Sequence, residues 1–361
     1  MRTNRSNLIA CAVFTIVMAV GVGLRSYARG ETRSKSRIVL LMVWDGLRPD
    51  LVNEQDTPNL YALENRGVRF EHHHSIFPTV TMVNAAGLAT GGDAGTSGIL
   101  GDVMYFAPVL DSNKIASIPG LAPALDEPID IENSQILAAL DGPGAFNGHL
   151  LGLEAIGSQV QSAGGYVAVI GKRGPTFLFD GQAAPGASGS AGNYLFVADD
   201  MAAPSAAAAA LASAPAIDRK DPSSVGARDA WFAQLVTDRA LPAAKQAAAD
   251  GHPAFVVFWQ HNPDLIQHVA GLGTAPAIDA LHQCDANLGR IESALSALGI
   301  ADETDLMVVS DHGFATIRLE VSLGDLLVAA GIKKSAKSTD VVVAPNGGYD
   351  LVYLSRQSFA S

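Results

Sequence analysis

The chain has 361 residues and a mass of 37.4 kDa, with 48% apolar and 17% charged residues. That is enough hydrophobic material for a large core and too much for a disordered chain, which leaves one large domain or two ordinary ones. Lys and Arg number 24 against 36 Asp and Glu, a net charge of -12, so no basic footprint for a nucleic acid polymer is present; the two cysteines, Cys11 and Cys284, exclude a disulfide framework.

Arg2 and Arg5 precede an apolar block from Leu8 to Leu24, and Ser26-Tyr27-Ala28 places small residues where a signal peptidase reads them. Residues 1–28 therefore read as a signal peptide cleaved after Ala28, and the protein as exported, periplasmic or secreted. The alternative is an uncleaved membrane anchor, with an apolar block slightly short of the roughly 20 residues of a spanning helix. Leu8-Ile9-Ala10-Cys11 has the letters of a bacterial lipidation box, but its apolar run follows the cysteine instead of preceding it. Removing residues 1–28 takes away three arginines and no acid, leaving a charge of -15.

Residues 29–361 read as a single α/β domain. Apolar runs at 37–43, 166–170, 254–259 and 306–310 suit strands buried on both faces of a parallel sheet. Between them lie helices with recognisable ends. Thr57-Pro58 opens one and Gly67 closes it, residues 152–164 carry another, and a long one runs from Ile278 to Gly299. Alternating strands and helices predict a doubly wound, mostly parallel sheet with helices on both faces. Residues 183–226, dense in Ala, Gly, Pro and Ser, read as a surface insertion, and 341–354 as a hairpin turning at Asn346-Gly347-Gly348.

Three of the predicted strands run straight into metal-type ligands. "RIVLLMVWDG" ends in Asp45, "AFVVFWQHNPDLIQH" in Asp264 and His268, and "LMVVSDHG" in Asp311 and His312. In an open parallel sheet the carboxyl ends of the strands border the ligand crevice, so these five side chains converge on one edge. Hard oxygens with imidazoles suit zinc or a similar divalent ion. Asp264 and His268, four apart, share one face if the segment after Pro263 is helical. A further helix starts at Thr81 with Asn84 in its first turn, where backbone N–H groups and the dipole favour an attacking alkoxide or a phosphoryl oxygen. Taken alone, Thr79 or Thr81 is an N-cap.

"VWDGLRPD", "TPNLYALENRGVRF", "FPTVTMVNAAGLATG", "NPDLIQHVAG" and "VVSDHGF" resemble, in this order, the type I phosphodiesterase and nucleotide pyrophosphatase branch of the alkaline phosphatase superfamily. The resemblance covers residues 37–315. It implies that Asp45, Thr81, Asp311 and His312 hold one zinc and that Asp264 and His268 hold a second. It also implies that Thr81 is the nucleophile, with Thr79 the lesser candidate, and that Asn84 helps to hold an oxygen of the transferred group. A zinc-bound threonine oxygen is available as an alkoxide near neutral pH, and a two-metal site stabilises the attacking and leaving oxygens of an in-line displacement. The implied activity is hydrolysis of a small phosphate diester or pyrophosphate through a phospho-threonine intermediate.

The sequence departs from that pattern in two places. The family's second site takes a further histidine well downstream, and none occurs after His312, so a C-terminally truncated domain or a weakened second site is expected. Ser97-Gly98 stands where relatives carry His-Gly. The alternatives are a phosphomonoesterase, for which Lys172 of Lys172-Arg173-Gly174 is a possible substrate phosphate contact, and a non-catalytic domain that binds phosphate or metal. Sulfatase chemistry is disfavoured because no Cys-x-Pro-x-Arg pattern occurs. His72, His73, His74, His261 and His282 read as surface or satisfied histidines without chemistry.

Overall fold

Period-two alternation builds the sheet. Along strand β1 (Ile38–Trp44), Ile38, Leu40, Met42 and Trp44 fall on one face, and Leu41 and Val43 on the other. A computed structural model describes residues 37–106, 127–142, 146, 148–180 and 193–354. The proposed signal peptide at 1–28 lies outside these residues. No helix among the described residues is long and apolar enough to cross a membrane.

Besides β1, the described strands are β2 (Val103–Met104), β3 (Ile129–Asp130), β4 (Tyr166–Gly171), β5 (Tyr194–Ala198), β6 (Ala202–Ala203), β7 (Ala254–Gln260), β8 (Thr304–Val309), β9 (Val341–Pro345) and β10 (Asp350–Leu354). Six form the main sheet in the order β6-β5-β4-β7-β1-β8, parallel throughout except for the short β6. One face packs its side chains, among them Trp44 and Phe258, against Phe232 of helix Pro222–Leu235 and Leu281 and Leu288 of helix Ala275–Leu298. The other packs Val43, Val169 and Trp259 against Met82 and Ala85 of helix Thr81–Thr90 and Phe177 of helix Pro175–Asp180. Fully burying each such large side chain contributes about 1.5–3 kcal/mol. This is the doubly wound α/β fold that the apolar runs predict.

Three readings change. The Ala-, Gly-, Pro- and Ser-rich stretch is not a surface insertion as a whole. Its residues Tyr194–Ala198 are a fully buried strand paired with β4, and Ser205–Ala212 is a helix; residues 181–192 lie outside the described ones. Secondly, β8 is the sheet's edge strand and is only partly covered, with Met307 42% exposed, because β1 pairs with one side of it alone. Finally, the long helix begins three residues before Ile278, with Thr274 ahead of its first turn and Pro276 in that turn.

The predicted hairpin forms, β9 against β10, closed by Asn346 N–H donating to the Tyr349 carbonyl at 2.9 Å. Its turn docks on the segment around β2. Asn346 Oδ1 accepts from Val103 N–H at 2.8 Å, Asn346 Nδ2 donates to the Val103 carbonyl at 3.0 Å, and Tyr349 Oη donates to the Leu100 carbonyl at 2.8 Å. A side chain at Gly101 would put Cβ 2.5 Å from Asn346 Oδ1 and 2.7 Å from Tyr349 Oη, so only glycine permits this docking.

Candidate active site

The parallel strands deliver polar side chains to the carboxyl edge of the sheet in turn. β1 is followed by Asp45, β4 by Lys172, β5 by Asp199, β7 by His261 and Asp264, and β8 by Asp311 and His312. Gly46 makes the junction possible. Its φ of +69° and its lack of a side chain let the backbone after β1 pass Asp264, whose Cβ would lie 2.8 Å from a Cβ at position 46. Asp264 N–H donates to the Asp45 carbonyl at 2.9 Å, and Gly46 N–H to Asp311 Oδ1 at 3.1 Å.

Asp45, Asp311 and His312 form one group whose ligand atoms lie within 4.8 Å of one another. His312 Nε2 is 3.5 Å from Asp45 Oδ1 and 3.3 Å from Asp311 Oδ2. Its Nδ1 lies 2.8 Å from the Gly313 carbonyl, which fixes the ring with Nε2 facing the carboxylates. Thr81 joins them, its Oγ1 3.1 Å from His312 Nε2, at the first residue of helix Thr81–Thr90. Asp264 and His268 form a second pair, Oδ1 to Nε2 3.4 Å, one turn apart on helix Asp264–Ala270 as their spacing predicts.

The donor set fits a divalent cation. Asp45 Oδ1 and Asp311 Oδ2 are buried and have no hydrogen-bond donor among the described residues. Buried carboxylate oxygens demand compensation of this kind. Burial, with Asp45 close by, pushes the Asp311 carboxyl up to about 8. Burial alone would lower the His312 pKa, but Asp311 and Asp45 push it up to about 9.

Lys172 is buried at the centre of the cluster. Its Nζ donates to Asp45 Oδ2 at 2.8 Å, lies 3.0 Å from Glu132 Oε1 and reaches to 3.5 Å from Thr81 Oγ1. Burial opposes its charge, yet Asp45, Glu132 and Asp264 hold its pKa well above the ordinary lysine value. Trp259 Nε1–H also donates to Asp45 Oδ2, at 2.9 Å, so one oxygen of Asp45 is pinned while the other faces His312.

Asn84 hydrogen-bonds to the segment just before Thr81. Its Oδ1 accepts from Ile76 N–H at 2.7 Å, and its Nδ2 donates to the Ile76 and Val80 carbonyls at 3.2 and 3.0 Å. Both ends of the amide thus brace the segment that leads into Thr81. His72, His73 and His74 are exposed on an irregular segment, and half-exposed His282 lies 3.3 Å from Asp56. Ser97 is buried where a one-turn helix ends, its carbonyl accepting from Gly152 N–H at 2.9 Å, a structural position.

Several polar residues of the site were not legible in the sequence. Asp102 Oδ1 accepts from Met82 N–H, next to Thr81, at 2.8 Å; burial and Glu132 push its carboxyl up to about 7. His261 is buried between Asp229 Oδ1, 2.7 Å from Nδ1, and Asp199 Oδ2, 2.8 Å from Nε2. Burial opposes its charge, but the two carboxylates raise its pKa to about 10. Asp199 also accepts from Arg173 N–H at 3.1 Å, which ties His261 to the loop that carries Lys172.

A family model of the type I phosphodiesterase / nucleotide pyrophosphatase matches residues 39–359. The chain belongs to that family. Membership makes it a hydrolase of the phosphodiesterase and pyrophosphatase type, in a family that is typically metal-dependent. No curated protein matches the sequence. Among solved structures, phosphonoacetate hydrolase from Sinorhizobium meliloti 1021 in complex with phosphonoformate is similar at TM-score 0.58 and 17% identity, over 92% of this chain and 74% of that one. Murine ectonucleotide pyrophosphatase / phosphodiesterase 5, in an inactive threonine-to-alanine form in complex with AMP, is similar at TM-score 0.54 and 16% identity, over 89% and 67%. The human ectonucleotide pyrophosphatase / phosphodiesterase 5 gives 0.52 and 16% over the same shares. At these identities the structures support the fold, that of the alkaline phosphatase superfamily.

Proposed function

We propose that the protein is an exported, zinc-dependent hydrolase of small phosphate diesters or pyrophosphates that works through a phospho-threonine intermediate. The observation that carries the reading is the place of Thr81 Oγ1, at a helix start and 3.1 Å from the ring of His312 in the one metal-type group of the described residues. Asp45, Thr81, Asp311 and His312 would hold one zinc, and Asp264 and His268 a second. Bound there, the ions would supply positive charge that makes the threonine oxygen available and offsets charge at the phosphorus.

The chain's own side chains do the remaining work. Asn84 braces the segment before the nucleophile, and Lys172 fixes Asp45 while its ammonium lies within 3.5 Å of Thr81 Oγ1, where it favours the ionised oxygen. Attack forms the Thr81 oxygen–phosphorus bond and breaks the ester bond, whose oxygen departs with a proton. Water then cleaves the phospho-threonine, releasing the phosphate product and restoring the hydroxyl. The murine neighbour in complex with AMP, inactive in a threonine-to-alanine form, agrees with this assignment.

Lys172 supports a second reading, a phosphomonoesterase, because a buried cation beside Thr81 is a contact for additional phosphate charge. Thr81→Ala decides the first assignment. In zinc-loaded protein it is expected to lower hydrolysis of bis-p-nitrophenyl phosphate by about a thousandfold or more while the unfolding transition stays in place. Retained turnover would remove Thr81 as the nucleophile.

A further inference from the structure

The first turn of helix Thr81–Thr90 leaves backbone N–H groups without partners in the helix, and a phosphoryl group attacked by Thr81 would turn an oxygen towards them. One of these donors is already taken. Met82 N–H donates to Asp102 Oδ1 at 2.8 Å, so a carboxylate stands where a phosphate oxygen would seek a partner.

Asp102 is held there from several sides. Its carbonyl accepts from Ile131 N–H at 2.8 Å. Gly101 before it is wedged against Asn346 and Tyr349, and Val103 after it is bonded through both backbone groups to Asn346. Lys172, which acts on Asp102, is engaged by Asp45 and Glu132, and Glu132 adds a further negative charge to the same corner. An incoming phosphorus centre with two negative charges is therefore opposed more strongly than one with a single charge.

We propose that Asp102 is a specificity-determining residue that biases the site towards the singly charged phosphorus centre of a diester over the doubly charged one of a monoester. This rests on the reading of Thr81 as the nucleophile. Asp102→Asn keeps an oxygen for the Met82 N–H and exchanges the negative charge for a neutral amide donor.

The test compares zinc-loaded wild type and Asp102→Asn on p-nitrophenyl phosphate and bis-p-nitrophenyl phosphate at about pH 9, where the carboxylate is ionised. The ratio of kcat/KM for the monoester to that for the diester is expected to rise by about tenfold or more in the variant. Thermal unfolding shows whether the variant is folded; should Asp102→Asn fail to fold, Asp102→Ser carries the same comparison. An unchanged or lower ratio in a folded variant overturns the role of Asp102 and leaves the nucleophile assignment standing. A wild type that cleaves neither ester removes the reading of the site, and this inference with it.

Discussion

Asp45 and Asp311 are buried, and His312, Lys172, Trp259 and the Gly46 amide fix their carboxylates, whereas His268 of the second ligand pair is 54% exposed, held by Asp264 and an edge-on contact with Phe314. Both groups sit at the carboxyl edge of one sheet. The difference lies in what supports them. Asp45 and Asp311 follow neighbouring parallel strands, so core packing sets their spacing, while His268 rides on a seven-residue helix past the end of β7. A ligand fixed by several buried partners loses little freedom on binding a metal, and an exposed one loses more.

The largest effect that would break this comparison is at its buried half. Asp311→Asn takes a charge from the Asp45–His312 group, and turnover of zinc-loaded protein is expected to fall by about a thousandfold, with zinc per chain reduced in elemental analysis. His268→Ala is expected to act more weakly, lowering affinity for a second ion by about tenfold to a hundredfold while the first remains bound. Equal losses of zinc from both variants would show that the two groups do not differ as described.

How much of this was open to the sequence depends on how each residue reaches the site. Asp45, Asp264 and Asp311 were visible because an apolar run stops and an acid follows, which in a parallel sheet places the acid at the ligand edge. Thr81 was visible through its helix-start pattern and the family resemblance. Asp102, Glu132, Asp199 and Asp229 were not, since the first three flank strands, two of them very short, the last lies inside a helix, and nothing local distinguishes them from solvated acids. The buried strand at 194–198 was hidden by the Ala- and Gly-rich composition on either side, although "YLFVA" itself is an apolar run. Edge position, which exposes β8, is a property of sheet order and leaves no mark on one segment.

The His261 cluster sharpens the comparison at lower cost. His261→Gln leaves Asp199 and Asp229 buried without their shared cation, and stability is expected to fall by about 3 kcal/mol in denaturant unfolding at neutral pH. The folded protein keeps the His261 proton up to about pH 10, against 6.5 for the ordinary histidine. The stabilisation from that proton is therefore full below about pH 6.5 and is lost as pH rises through about 10. Wild-type stability should decline across that window, and the His261→Gln profile should be flatter there. The smallest change is expected at His282, half exposed beside Asp56, where His282→Ala should shift stability by less than about 0.5 kcal/mol.

The central claim is that the Thr81 oxygen attacks phosphorus, and rapid acid quench of zinc-loaded protein turning over bis-p-nitrophenyl phosphate tests it directly. Mass spectrometry of the digested chain should find a phosphoryl adduct on Thr81 that is absent without substrate. Steady turnover with the adduct on another residue, or with full activity in Thr81→Ala, would contradict the account.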